Sequence, residues 1–176
     1  TDVVPVGGGH VTNDIARGLL TPIAEAERLK TLHGCATLSP LDDRETLEFP
    51  QVGEEAGAQL NHVQKSMLIR IIQPRLEEVF EMVKERLGQS GFDKIAGRRV
   101  VLTGGASQMP GLCDLAQHIL DKRVRLGRPI RISGLADAAT GPAFSTCAGL
   151  LVYAVDPGFD VPVIGRGDKE EPAGML

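Results

Sequence analysis

Two adjacent glycines, Gly104 and Gly105, stand between a short apolar run at 100–102 and an apolar-periodic segment that begins at Leu112. This order predicts a strand, a tight turn and a helix. Residues without Cβ let the backbone approach a ligand closely, and in open α/β sheets such turns lie at the carboxyl ends of strands, where ligands bind. On spacing alone, the pair fits a ligand-binding turn and a turn that simply requires glycine equally well.

A second candidate pair, Glu27 and Lys30, lies in a segment with helical periodicity between 23 and 33. Residues three positions apart share one face of a helix. One interpretation is a surface ion pair that contributes about 0.3 kcal/mol. The other is a hydroxyl-binding pair, in which the carboxylate accepts hydrogen bonds from a sugar diol and the ammonium donates to a ring oxygen or a phosphate. The spacing leaves both interpretations open.

Several common motifs are missing from the sequence. No Lys follows Gly111, which excludes a Walker A loop, and Thr12 occupies the position of the third glycine of a dinucleotide fingerprint. The four histidines and three cysteines show no metal-ligand spacing, and no nucleophile elbow occurs. An odd number of cysteines indicates reduced thiols in a cytosolic protein. We therefore expect no catalytic residue and no metal ligand in this chain.

The composition indicates a soluble globular protein. Of the 176 residues 42% are apolar and 24% charged, and no apolar run reaches membrane-spanning length. A net charge of −4 and an aromatic content of 3% argue against nucleic-acid binding. The chain begins with Thr in the middle of an apolar run, which suggests an excised fragment, and 156–176 is expected to be a flexible tail.

The elements that must position these residues follow from apolar periodicity. The clearest is a long helix over about 66–87, with Pro74 expected to kink it. Gly34 is expected to end the preceding helix in the left-handed conformation. The remaining predictions are helices at 10–20, 23–33, 112–120 and 141–155, strands at 1–6, 58–63, 99–102 and 124–126, and a hairpin of 35–38 with 46–52. This order predicts an α/β domain, about 1–20 and 97–155, interrupted by a unit at 21–96.

Taken together, six stretches resemble the actin-like ATPase superfamily and, within it, the FtsA family of bacterial cell-division proteins. They cover most of 1–155 in order, at 4–19, 26–35, 71–75, 101–112, 125–129 and 140–150. The resemblance implies an actin-like (ribonuclease H-like) fold. Its 2A half would be 1–20 with 97–155, and its inserted α+β half, 2B, would be 21–96.

The resemblance also implies an ATP site in the cleft between lobes, with adenosine held between the double-glycine turn and the helix that carries Glu27 and Lys30. The residues implied to line the base and ribose are Gly104, Gly105, Ala106, Gln108 and Met109, and Gly8 and Gly9 would border the cleft. The family's phosphate-gripping hairpins and Mg²⁺ ligands fall outside this chain. We therefore expect the chain neither to hydrolyse ATP nor to bind it tightly, and a full-length relative to be at most a weak ATPase.

The family resemblance implies an adaptor that tethers FtsZ filaments to the cytoplasmic face of the inner membrane at the division site. Such a protein self-associates into actin-like filaments and recruits other divisome proteins, and its membrane contact is a C-terminal helix that this chain lacks. The FtsZ C-terminal tail would bind the 2B half, where Arg75 is the candidate to grip its acidic groups; an exposed Arg on a charged helix face is the other interpretation. The alternatives are a lobe of a catalytically active actin- or chaperone-like ATPase, or of a pilus-assembly actin-like protein.

Overall fold

The structure is a computed structural model that describes residues 1–53, 60–91, 97–129 and 136–155. Within these ranges its elements are, in chain order, α1 (Gly8–Leu19), α2 (Ile23–His33), β1 (Thr46–Phe49), β2 (Asn61–Gln64), α3 (Lys65–Gln89), β3 (Arg99–Leu102), a 3-10 turn (Gly105–Gln108), α4 (Leu112–Leu120), β4 (Arg123–Leu126), two further 3-10 turns (Asp137–Ala139 and Pro142–Phe144) and α5 (Ser145–Val155). This mixture of helix and sheet is compatible with the predicted α/β class. The division into 2A and 2B halves stays a prediction, and the predicted tail at 156–176 lies outside the described residues.

The strands form two pairs. Strands β1 and β2 are antiparallel, with Leu47 opposite Val63, and β3 and β4 are parallel, with Val100 opposite Val124. Helix α4 connects the parallel strands, which is the usual crossover of a βαβ unit. The double glycine follows β3 directly, so it lies at the carboxyl end of a parallel strand, as the sequence predicted.

The hydrophobic core sits where four helices meet. Helix α3 packs against both α1 and α4, and α1 also packs against α2. A stripe of buried residues at every fourth position of α3 faces this junction, at Leu68, Ile72, Leu76 and Phe80. Because α1 and α2 are anchored in one core, the distance and orientation between their polar faces are fixed. Among the described residues, no helix combines the length and the apolar character needed to cross a membrane.

Two strand predictions are wrong. Residues 1–6 are irregular, because no described strand runs beside them. Residues 35–38 do not form a hairpin with 46–52: the amide of Ala36 donates to the carbonyl of Pro110 (2.9 Å) instead of to a strand. The partner of β1 is β2, which lies further along the chain. Both errors concern pairing, which local alternation of apolar residues does not determine.

The prediction for Gly34 is also wrong. Its φ and ψ of −63° and 136° are extended rather than left-handed. Glycine is nevertheless required there, because a Cβ at this position would overlap the carbonyl oxygen of Lys30. Helix α3 runs continuously from Lys65 to Gln89 with Pro74 inside it, and the kink expected there stays a prediction.

Candidate functional site

A cavity of about 730 Å³ opens between the start of α1, one face of α2 and the glycine turn. This volume lies within the range of small-molecule sites, roughly 300–1,000 Å³. Ten residues line it: Gly8, Gly9, Glu27, Lys30, Thr31, Gly105, Ala106, Gln108, Met109 and Pro110. The cavity therefore joins residues separated by about a hundred positions in the sequence.

The walls of the cavity touch each other directly. A Cβ built on Gly8 would lie 3.1 Å from the Cβ of Ala106 and 3.9 Å from Nζ of Lys30, so a larger side chain there would push the walls apart. At the Pro110 wall, the carbonyl of Pro110 accepts hydrogen bonds from the amide of Ala36 (2.9 Å) and the thiol of Cys35 (3.4 Å). These contacts tie the segment after α2 to the end of the glycine turn.

The glycine turn has its shape because Gly104 adopts φ +92° and ψ 167°, a conformation essentially restricted to glycine. Its carbonyl accepts a hydrogen bond from the Ser107 hydroxyl (2.7 Å), and its amide donates to the carbonyl of Pro142 (3.0 Å). No atom lies within 4 Å of a Cβ placed there, so conformation rather than space requires glycine. Gly104 thus shapes the turn, and Gly105 and the residues after it form the wall.

Lys30 is the centre of the polar wall. Its ammonium donates to Oε2 of Glu27 (2.6 Å), to Oγ1 of Thr12 (2.8 Å) and to the carbonyl of Gly8 (3.2 Å). These three bonds use all three ammonium hydrogens, and the side chain is only 12% exposed. Lys30 therefore fastens α2 to the start of α1 and has no hydrogen left over for a ligand in this arrangement.

Glu27 is the exposed partner of this cluster. Its Oε2 also accepts from the hydroxyl of Thr12 (2.5 Å), so the bonds from Lys30 and Thr12 fall on one oxygen and Oε1 is the less engaged of the two. The Thr31 hydroxyl donates to the backbone carbonyl of Glu27 (2.8 Å) and has the smallest effect on its carboxylate. The hydrogen bond from Lys30, followed by that from Thr12, lowers the pKa of Glu27 against the opposing effect of burial. Because the side chain is 53% exposed and lines the cavity, this ionised carboxylate offers a ligand one open acceptor oxygen.

Of the nine predicted ligand residues, eight line the cavity and Gly104 shapes it from behind. Thr12 is not among the predicted ligand residues; it does not line the cavity, but it bonds to both members of the Glu27–Lys30 pair. The available signal was spacing: Thr12 is one turn after Gly8 and so lies on the same face of α1. The surface ion-pair interpretation of Glu27 and Lys30 omits this third partner.

Arg75 lies elsewhere, between α1 and α3. Its Nε and Nη2 donate to the carboxylate of Asp14 (2.6 and 3.2 Å), and its Nη1 pairs with Glu78. The side chain of Arg75 is partly exposed, so a peptide carboxylate reaching it must compete with these two acids. The structure thus adds partners to Arg75 that neither sequence interpretation contained.

The donor set of the cavity suits a polar organic ligand. Within 1–53, 60–91, 97–129 and 136–155, no group of three or more His, Cys, Asp or Glu side chains is placed to hold a metal ion. Instead, the open carboxylate oxygen of Glu27 can accept hydrogen bonds from hydroxyl groups, and the backbone of the glycine turn offers a close surface for a flat ring. The amino end of α1 provides a favourable electrostatic field for an anion.

Sequence comparisons find similar proteins among bacterial cell-division proteins. The family described as "Cell division protein FtsA" matches residues 1–149. A cell division protein FtsA of Rhizobium meliloti is 46% identical over 166 residues, which are 94% of this chain and 38% of the relative. The protein of the same name in Pseudomonas aeruginosa is 38% identical over 176 residues, which are 98% of this chain and 42% of the relative. The one in Escherichia coli K12 is 39% identical over 160 residues, which are 87% of this chain and 37% of the relative. The chain spans about two fifths of the length of these curated relatives.

Proposed function

This chain belongs to the FtsA family of cell-division proteins, and from that premise we propose that it supplies the adenosine-binding half of an ATP site in an actin-like division adaptor. The family membership supports a role in cell division. That the full-length protein binds ATP, contacts FtsZ and other division proteins, and lies at the membrane is what we propose beyond that role. The observation that carries the proposal is the cavity in which the Glu27–Lys30 pair faces the glycine turn.

Each wall of the cavity has a role in this proposal. The open oxygen of Glu27 accepts hydrogen bonds from the ribose hydroxyls, and Lys30 holds that carboxylate in place. The backbone of Gly105 and Ala106 and the side chain of Met109 lie against the nucleoside. The amino end of α1, at Gly8 and Gly9, favours the negative charge of the phosphates.

Magnesium and the phosphate grips of the proposed ATP site would come from parts of the full-length protein beyond this chain. Mg²⁺ bound with ATP would neutralise phosphate charge, but the described residues offer it no ligand cluster. Because the pKa of Glu27 is lowered, its carboxylate is also a weak general base. This half of the site is therefore suited to holding the nucleotide rather than to hydrolysing it.

The test is ATP titration by calorimetry on the complete polypeptide encoded by the gene that contains this sequence. Glu27→Gln weakens an acceptor for the ribose and is expected to raise Kd about tenfold, the lower end for a hydrogen bond to a charged group. Glu81→Gln is the matched control, because Glu81 is exposed on α3 and does not line the cavity. Equal affinities of Glu27→Gln and wild type would remove Glu27 from the site, and a wild type that does not bind ATP would refute the proposal.

The proposed adaptor role includes tethering FtsZ filaments to the inner membrane, self-association into filaments and recruitment of divisome proteins. Arg75 is our proposed contact for the acidic FtsZ C-terminal tail, which would displace Asp14 or Glu78 from the guanidinium. This exchange predicts opposite effects for two variants. Arg75→Glu weakens binding of the tail, and Asp14→Asn strengthens it because the guanidinium loses an internal competitor.

Fluorescence titration of a labelled FtsZ tail peptide measures both effects. Arg70→Glu is the control, because Arg70 is exposed on the same helix but about 140° away around its axis. We expect Arg75→Glu to lower affinity about tenfold, as for the loss of a charged hydrogen bond. Equal effects of Arg70→Glu and Arg75→Glu would indicate attraction by overall charge and not a contact at Arg75.

A further inference from the structure

We propose that Thr12 is the positioning residue of the ribose wall: its hydroxyl fixes the Glu27 carboxylate so that one oxygen is presented to the ribose hydroxyls, and it thereby sets a preference for ribonucleotides over deoxyribonucleotides. The inference rests on the proposed function, since it assigns a role to a residue directly behind the proposed adenosine site. Thr12 does not line the cavity and acts through Glu27.

The hydrogen bonds of Thr12 are mutually consistent. A hydroxyl has one hydrogen to donate and two lone pairs to accept with. The nearest acceptor is Oε2 of Glu27 at 2.5 Å, ahead of the carbonyl of Gly8 at 3.1 Å, and Lys30 donates to the hydroxyl at 2.8 Å. Thr12 therefore donates to the carboxylate while accepting from the ammonium, and it links α1 to both members of the pair on α2.

Fixing a carboxylate needs more than one contact. The terminal torsion of a Glu side chain is broad, and Lys30 reaches Glu27 from a flexible four-carbon stem on the same helix. Thr12 approaches from another helix and is only 4% exposed, and a β-branched side chain has few accessible rotamers. Two donors from different directions hold Oε2, which leaves Oε1 as the oxygen for a ligand.

A fixed acceptor discriminates between ligands that carry a hydroxyl and ligands that do not. When a ligand lacks the hydroxyl, the carboxylate oxygen loses its partner inside the complex, which costs affinity. A carboxylate that rotates freely turns towards water and loses much of this discrimination. Removing the Thr12 hydroxyl should thus reduce the penalty on 2′-deoxy-ATP more than it reduces the affinity for nucleotides in general.

The test measures Kd for ATP and for 2′-deoxy-ATP by calorimetry with the complete polypeptide. We expect wild type to prefer ATP about tenfold, Thr12→Val to reduce this preference to about twofold or less, and Thr12→Ser to retain it. Thr21→Val is the matched control. Thr21 is 2% exposed, but its hydroxyl donates to the carbonyl of Pro50 (2.7 Å), away from the cavity.

Carboxyl NMR titration of Glu27 is the second measurement, because it reports positioning without any nucleotide. Thr12→Val should raise the pKa of Glu27 towards its ordinary value, and Thr21→Val should not. An unchanged ATP preference in Thr12→Val, or a folded Thr12→Ser that loses the preference, overturns the inference and leaves the ATP site standing. A wild type that binds both nucleotides equally also overturns it, and a wild type that binds neither overturns the proposed function as well.

Discussion

Replacing Lys30 by Met is expected to lower the free energy of unfolding of this chain by about 1–2 kcal/mol. Methionine keeps the length of the side chain and removes the ammonium. Three hydrogen bonds are lost, to Glu27, Thr12 and the carbonyl of Gly8. Two effects offset part of this loss. The Lys30 side chain is only 12% exposed, so its replacement removes the cost of burying a charge. The Thr12 hydroxyl lies 3.1 Å from the Gly8 carbonyl and can donate a hydrogen bond to it in place of the ammonium.

The ion pair with Glu27 should account for the smaller share of this loss. Glu27 is half exposed, and exposed pairs one turn apart on a helix contribute about 0.3–0.5 kcal/mol. The bonds from Lys30 to Thr12 and Gly8 are shielded and join two helices, so they carry the remainder. Glu27→Gln alone should therefore cost less than Lys30→Met.

A double-mutant cycle separates the two contributions. Urea unfolding of wild type, Lys30→Met, Glu27→Gln and the double variant gives the coupling energy, which we expect to stay below about 1 kcal/mol. Lys84→Met, at an exposed position of α3, is the control for the loss of a lysine and should change stability by less than about 0.5 kcal/mol. If the coupling energy equalled the whole cost of Lys30→Met, the contacts with α1 would contribute nothing and the reasoning would be refuted.

Two further predictions concern the end of α2 and acid stability. Gly34→Ala should destabilise the chain by about 2 kcal/mol or more in urea unfolding, because the new Cβ overlaps the carbonyl of Lys30, whereas Gly88→Ala in open space on α3 should stabilise it by up to about 1 kcal/mol. The hydrogen bond from Lys65 holds the pKa of Glu45 below its ordinary value of 4.5. The Glu45–Lys65 pair therefore stabilises the fold fully above pH 4.5, and this stabilisation is lost as the pH falls through the lowered pKa of Glu45. Urea unfolding from about pH 6 to about pH 3 should therefore show a shallower loss in Lys65→Met than in wild type; parallel curves would contradict this assignment.

Local elements were predictable because their causes are local. The predicted bounds of α2, β3 and α4 agree with the structure, at Ile23–His33, Arg99–Leu102 and Leu112–Leu120. In each case a run or stripe of apolar residues ends at a glycine or at a change of periodicity. The residues of the element and its immediate neighbours are therefore enough to predict where it begins and ends. The resemblance to the FtsA family, which depends on short motifs in a fixed order, is confirmed by the family match.

Strand pairing and the conformation at the end of α2 were predicted less well, because both depend on contacts between backbone atoms that residue types do not show. Residues 35–38 have apolar alternation, but the Ala36 amide finds its acceptor at Pro110. Gly34 has the position typical of a left-handed cap, yet it is required by the approach of the Lys30 carbonyl. The Pro110 acceptor is far from Ala36 in the sequence. The Lys30 carbonyl is only one helical turn before Gly34, but how closely the backbone brings the two together cannot be read from residue types.

The sequence alone determined the types of residue at the site and the family whose motif order they follow. The tertiary structure decided how those residues are used: Lys30 spends its hydrogens on α1, Glu27 keeps one oxygen open, and Thr12 joins them. Spacing in a helix says which side chains share a face, but a hydrogen bond forms only over about 3 Å between correctly oriented atoms. That requirement is met or missed only when separate helices dock on a common core.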